Sequence, residues 1–172
     1  MHNTYPIHNT ELADLPVIIQ LFEHSIQYQE MKGYPVWRNY DKHALEQDIQ
    51  DKNQYKAIIG TEIGIVFSVG YRDSIIWREL DRGDSIYLHR IVVNPKFKGQ
   101  KLFGLVLDWT KEHIKQKQLK SIRMDTWAAN PNIINYYRTF GFEVVENYTT
   151  PNTTALPVHN RNLALTLLEL RG

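Results

Sequence analysis

The chain has 172 residues, 42% of them hydrophobic and 23% charged, which suits one globular domain with a real core and is too short for two ordinary domains. A formal net charge of +1 gives no global field for nucleic acid or an anionic membrane, so any phosphate binding has to be local. The absence of cysteine excludes disulfides, thiolate metal sites and a cysteine nucleophile together, and fits a reducing compartment.

The N-terminal MHNTYPIHNTELADLP lacks an apolar stretch behind a basic start, so it does not read as a signal peptide. No apolar run approaches the ~18–20 residues of a membrane span. A cytoplasmic location without a membrane or nucleic-acid partner is therefore expected. Tyr5 to Thr10 reads as a short strand, and LADLPVIIQLFEHSIQYQEM places Leu15, Ile18, Ile19, Phe22 and Ile26 at helical spacing. GYPVW, Gly33 to Trp37, interrupts that pattern, and DKHALEQDIQ predicts a second helix capped by Asp41. YKAIIG and IGIVFSVGY predict antiparallel strands joined by a tight turn around Thr61 and Glu62.

RDSIIWRELDRGD reads as an irregular connection, and SIYLHRIVV as a strong strand. A helix from about Gly99 to Gln116 would put Leu102, Leu105, Val106, Trp109 and His113 on one face. LKSIRMDTWA follows as a strand, NPNIINYYRTF as a helix closed by Gly141, and FEVVENY as a further strand. After the turn-rich TTPNTTALPVHNR, NLALTLLEL completes a mixed α/β sheet in a single domain spanning residues 1–172.

NPKFKGQKLFG, Asn94 to Gly104, joins a strand to a helix through a basic turn. Its two glycines have the spacing of a nucleotide phosphate loop, but Leu105 and Val106 stand where Lys-Ser/Thr would be needed, so it is not an ATPase signature. The seven histidines show no metal-ligand spacing, and no metal is expected. The unpaired N–H groups and dipole of a helix start can hold a diphosphate, with Lys96, Lys98 and Lys101 adding charge around the point and Gly99 allowing close approach. An ordinary turn with solvated lysines is the other reading.

VVNPKFKGQKLFGLVLDW followed by MDTWAANPNIINYYRTFGF resembles the core of the GNAT superfamily of N-acetyltransferases. The pattern is a strand ending in V-x-P, an R/Q-x-x-G-x-G/A loop opening a helix, another strand, an Asn, then Tyr-x-x-x-Gly-Phe, and it holds from about Ser85 to Tyr148. The resemblance implies an α/β (α+β) acyl-CoA N-acyltransferase fold, a mostly antiparallel sheet flanked by about four helices. It also implies acetyl-CoA as donor and a primary amine of a small molecule or peptide as acceptor. By position, Lys98, Gly99, Gln100, Lys101, Leu102, Phe103 and Gly104 would surround the coenzyme A pyrophosphate. The backbone of Ile91 and Val93 would pair with the pantetheine arm, Asn130 would bind that arm with Ile133 beside it, and Tyr137 would protonate the departing thiolate.

Tyr136 and Tyr137 point about 100° apart on a helix, so only one can face the donor, and the spacing to Gly141 selects Tyr137. An alkylammonium of pKa ~10.4 must lose a proton before it attacks. Where many members carry a Glu, this chain has Tyr87; His89, on the same strand face, and Asp125, beside Trp127, are the candidate bases, and His89 reads equally as a packed core histidine. Tyr34 and Trp37, with Asp125, are expected to line the acceptor site, and a homodimer is a family-level expectation.

The loop departs from the family pattern at Lys98, Lys101 and Phe103. The Phe103 ring must either turn into the core or occupy donor space. A catalytically silent binding module on the same fold is the competing functional reading.

Overall fold

The computed structural model describes residues 5–34, 41–156 and 158–172. Seven strands form one sheet in the order β1-β2-β3-β4-β5-β7-β6. They are β1 (Ile7–Asn9), β2 (Gln54–Ile59), β3 (Glu62–Gly70), β4 (Ser85–Val93), β5 (Ser121–Trp127), β6 (Glu143–Thr149) and β7 (Ala164–Arg171). Every pairing is antiparallel except β4 with β5. Among the described residues the helices are α1 (Leu15–Met31), α2 (Lys42–Gln50), the single turn α3 (Ser74–Trp77), α4 (Phe103–Lys117) and α5 (Pro131–Arg138). The mixed, mostly antiparallel sheet with four helices longer than one turn is the architecture the sequence predicts.

Two apolar layers sandwich the sheet. On one face α1 and α2 place Ile18, Leu21, Phe22, Leu45 and Ile49 against Ile63, Val66 and Val92. On the other, α4 and α5 cover Ile65, Phe67, Ile86, Leu88 and Ile122 with Phe103, Val106, Leu107 and Tyr137. β3, the strand IGIVFSV, is buried along nearly its whole length because it is covered on both sides. Asp41 caps α2 as its sequence position predicts, accepting from the amides of His43 and Ala44.

Four local features differ from the sequence reading. The hairpin turn is Gly60–Thr61, since Ile59 pairs with Glu62 and Gly60 has φ +64°. RDSIIWRELDRGD contains α3 and a short 3₁₀ turn, and carries Trp77 into a small cluster with Tyr87, Trp127 and Leu165. Helix α4 starts at Phe103 rather than Gly99, because Lys101 takes a left-handed φ of +53° that no α-helix contains. Its buried stripe is accordingly Phe103, Val106, Leu107, Thr110 and Ile114. Trp109 and His113 sit half-buried at the sheet margin, where they stack at 4.7 Å and the His113 Nε2 lies 2.7 Å from the Tyr71 hydroxyl.

Candidate active site

The site begins where the sheet opens. β4 and β5 pair only through Ser85, Ile86 and Tyr87 with Ser121, Ile122 and Arg123. Beyond them β5 continues with β7 and β4 with β3, so facing edges from Leu88 and Met124 onward have no strand between them. A bulge in β4 adds to the divergence: the register with β3 slips between Val66 and Ser68, and Arg90 adopts φ +50°. Asp48 of α2 pins it, its Oδ2 accepting from Arg90 Nε at 2.8 Å, Arg90 Nη2 at 2.6 Å and Ser68 Oγ at 2.7 Å.

Two cavities meet in this opening and share Gln29, Ile91, Ile133 and Tyr137 as walls. One, of about 420 Å³, runs over the Pro95–Phe103 turn beside Tyr28 and Tyr136. The other, of about 400 Å³, lies toward α3 and contains His89, Asp125, Asn130 and Asp73. Tyr137 therefore stands between a basic compartment and an acidic one.

The basic compartment has the form the sequence predicts, with one difference in how it is built. The amides of Gly99, Lys101, Leu102 and Phe103 meet no acceptor among the described residues. Gly99 (φ +87°) and Lys101 turn the chain so that these N–H groups lead into α4. The loop lysines take different roles. Lys96 pairs with Glu62 at 2.6 Å, Lys98 lies with its Nζ 3.7 Å from the Tyr28 ring centroid, and Lys101 is exposed. Phe103 is 2% exposed and turns into the core, its ring 5.0 Å from Tyr137, 5.1 Å from Phe140 and 6.2 Å from Phe142. It packs against Tyr137 in the core and forms part of the wall of the cavity over the turn rather than filling it.

Asn130 caps α5 with its Oδ1, which accepts from the Ile133 amide at 3.2 Å. Its Nδ2 makes no hydrogen bond among the described residues, and the residue lines the cavity that holds His89 and Asp125. Burial, with Tyr136 adding to it, raises the Tyr137 pKa, so its hydroxyl keeps its proton throughout the working range. A row of free amides, an unpaired strand edge, a spare amide donor and a protonated hydroxyl fit a long ligand with an anionic diphosphate at one end and amides along its arm.

The acidic compartment collects residues that the sequence left apart. His89 and Asp125 face each other across the opening, and Asp73, from the α3 connection, joins them. Their ligand atoms all lie within 4.8 Å of one another, with His89 Nε2 3.9 Å from Asp73 Oδ2. Burial and the facing Asp73 carboxylate raise Asp125 to about 7. Burial, with the Asp81 carboxylate adding less, raises Asp73 to about 6 despite the hydrogen bond from the Ile76 amide. Burial, helped by Arg90, pushes His89 down to about 4, so its imidazole is neutral at pH 7.

The other ionisable groups nearby are tied up by their own partners. Tyr87, at the position of the family's glutamate, is fully buried, donates to Asp81 Oδ1 at 2.9 Å and accepts from Arg123 Nη1 at 3.1 Å. Asp81 also takes Arg72 Nε at 3.2 Å and the Asp73 amide at 2.9 Å, while Asp84 pairs with Lys120 at 3.1 Å. Tyr34 accepts a 2.7 Å hydrogen bond from Asn132 and does not line the acidic cavity. Trp37 lies outside the described residues.

Comparison with known proteins decides the family. A model described as "Acetyltransferase (GNAT) family" matches residues 24–142, which contain the splayed strands, the turn before α4 and Tyr137. The chain belongs to the GNAT acetyltransferase family. An uncharacterized N-acetyltransferase of Bacillus subtilis (strain 168), YesJ, is 35% identical over 71 residues, 41% of this chain and 39% of the relative. The match thus spans about two fifths of that relative's length. A GNAT-family acetyltransferase structure from Listeria monocytogenes superposes with a TM-score of 0.77 at 18% identity, covering 98% of this chain and 95% of the other. The structure of yncA, a putative acetyltransferase from Salmonella typhimurium with its cofactor acetyl-CoA, gives 0.67 at 16% identity over 98% and 94% of the two chains. At these identities the superpositions establish the GNAT fold. No described helix is long and apolar enough to cross a membrane.

Within this GNAT fold, sequence reasoning missed Asp73 and Gln29. Asp73 sits in a segment with no periodic pattern, and Gln29 on α1 looks like any polar helical residue. Both have a buried side-chain oxygen without a hydrogen-bond partner among the described residues.

Proposed function

We propose that the protein is an acetyl-CoA-dependent N-acetyltransferase that acts on a primary amine of a small molecule or peptide by direct attack in a ternary complex. The observation that carries this reading is the position of Tyr137 on the wall shared by a compartment of free helix-start amides and a compartment holding His89 and Asp125.

Bound acetyl-CoA supplies an acyl thioester, whose C–S bond breaks as the new amide C–N bond forms. The amides of Gly99, Lys101, Leu102 and Phe103 hold the diphosphate oxygens, with Lys98 and Lys101 adding positive charge. The main chain of Ile91 and Val93 pairs with the pantetheine arm as an added strand would, next to Ile133, and Asn130 Nδ2 donates to a carbonyl of that arm. Gln100 and Gly104 complete the loop.

Tyr137 Oη donates its proton toward the sulfur and recovers one from the attacking nitrogen as the amide forms. Asp125, rather than His89, takes the proton from the acceptor ammonium. Moving a proton from an amine of pKa ~10.4 to Asp125 at about 7 costs roughly 5 kcal/mol, and to His89 at about 4 roughly 9 kcal/mol. His89 then acts as a neutral hydrogen-bond acceptor.

The burial of Phe103 removes the main reason to read the chain as a silent binding module. Thiol release from acetyl-CoA across an amine panel tests the assignment. Wild type should turn over at least one amine well above the Tyr137→Phe background, and equal rates for both proteins would refute it.

A further inference from the structure

We propose that Asp73, His89 and Asp125 form a three-point socket for one ammonium group, and that the acceptor is an aliphatic primary amine without a carboxylate. The inference rests on the acetyltransferase reading above and narrows its substrate class.

An alkylammonium has three N–H donors, and three acceptors at about 2.8 Å in tetrahedral directions stand about 4.6 Å apart. Here the three acceptor atoms all lie within 4.8 Å of one another, and the Asp73–His89 side is 3.9 Å. Around a first-row divalent metal with ligands at about 2.1 Å, adjacent donors would be only about 3.0–3.4 Å apart. The 3.9 Å side is wider than that metal spacing, and all three sides stay within the reach of one ammonium.

The partners are also missing on the protein side. Asp73 Oδ2 is buried and has no hydrogen bond, and Asp125 makes no side-chain hydrogen bond or ion pair among the described residues. Two guanidinium groups also line the cavity, but Arg72 pairs through Nε with Asp81 and Arg90 through Nε and Nη2 with Asp48, and neither pairs with Asp73 or Asp125. Two carboxylates left facing each other in a half-enclosed cavity repel, and a cation between them relieves both. An arylamine, uncharged at neutral pH, gives no such relief, and an amino acid adds a third negative charge. Ile75, Ile76, Leu88, Leu156 and Leu163 line the remainder of the cavity and suit an alkyl chain.

The test compares n-butylamine, 1,4-diaminobutane, aniline and 4-aminobutyrate as acceptors, the last being n-butylamine with a carboxylate added. For wild type, kcat/KM for n-butylamine should exceed that for 4-aminobutyrate by about 100-fold or more, and aniline should be a poor acceptor. Asp73→Asn should lower that ratio about tenfold or more, chiefly through a higher KM for n-butylamine, while coenzyme A binding by calorimetry stays unchanged. Equal turnover of 4-aminobutyrate and n-butylamine, or an unchanged ratio in Asp73→Asn, overturns the proposal.

If no amine releases thiol, the acetyltransferase reading fails, and the socket is judged separately by NMR titration of n-butylammonium. Saturable shifts near Asp73 and Asp125 in wild type, lost in Asp73→Asn, support it, and their absence overturns it. Tight Mn²⁺ or Zn²⁺ binding that Asp73→Asn abolishes, with activity lost in EDTA, also overturns it by making the cluster a metal site. Should Asp73→Asn fail to give a cooperative melt, Asp73→Ser serves for the same comparison.

Discussion

Replacing Asp125 by Asn should make the protein more stable at alkaline pH while removing its activity. Asp125 titrates near 7 in the fold against an ordinary 3.8, because it is buried and faces the Asp73 carboxylate. Between those values the folded protein binds a proton that the unfolded chain has released, so stability falls as pH rises from about 4 to 7. At 1.36 kcal/mol per pH unit, the full displacement from 3.8 to about 7 amounts to roughly 4 kcal/mol lost above pH 7. The smaller part of this shift comes from the charge on Asp73, which itself titrates near 6, so Asp125→Asn should recover about 2–4 kcal/mol at pH 8.5 and almost nothing at pH 4. Urea unfolding of both proteins at the two pH values measures the gap, and thiol release at pH 8.5 should fall about 100-fold or more in the variant. A gap of the same size at both pH values, or a variant less stable than wild type at pH 8.5, would falsify the argument that this carboxylate is held in the fold at an electrostatic cost.

Tyr137→Phe should lower kcat about 100-fold with coenzyme A affinity nearly unchanged, since it deletes a proton donor but no volume; single-turnover thiol release and calorimetry separate the two effects. Phe103→Ala removes a ring packed against Tyr136, Tyr137, Phe140 and Phe142 and should cost about 3–5 kcal/mol in chemical unfolding. Lys101→Gly should stabilise the fold by about 0.5–1 kcal/mol, because Lys101 is exposed and holds a φ of +53° that glycine adopts without strain; an unchanged or lower urea midpoint would contradict this.

The departures from the family loop follow from two different physical requirements. At Lys101 the pattern asks for a left-handed backbone, which a lysine can supply at a small cost, so the amide row survives the change of residue. At Phe103 the pattern asks for a side chain that leaves the donor's path clear. A large ring meets that demand only because Phe140, Phe142 and the two tyrosines surround a slot for it. Loop composition alone tells nothing about that slot.

The sequence by itself determined the elements and their types, the loop whose amides open into a cavity, and the tyrosine that stands between the two cavities. These depend on local rules: periodicity of apolar residues, capping at Asp41, a turn at Gly141, and fixed spacing along one helix from Asn130 to Tyr137. Only the tertiary structure decided what surrounds the acceptor. Asp73, His89 and Asp125 are separated by 16 and 36 residues in the chain and come from a loop and two strands that part company beyond Tyr87. Their titration is set first by burial and then by a neighbouring charge, Asp81 for Asp73, Arg90 for His89 and Asp73 for Asp125, which the fold alone brings together. Short-range pattern is written in consecutive residues, whereas the field at a site is the sum over everything the fold brings within a few ångströms of it.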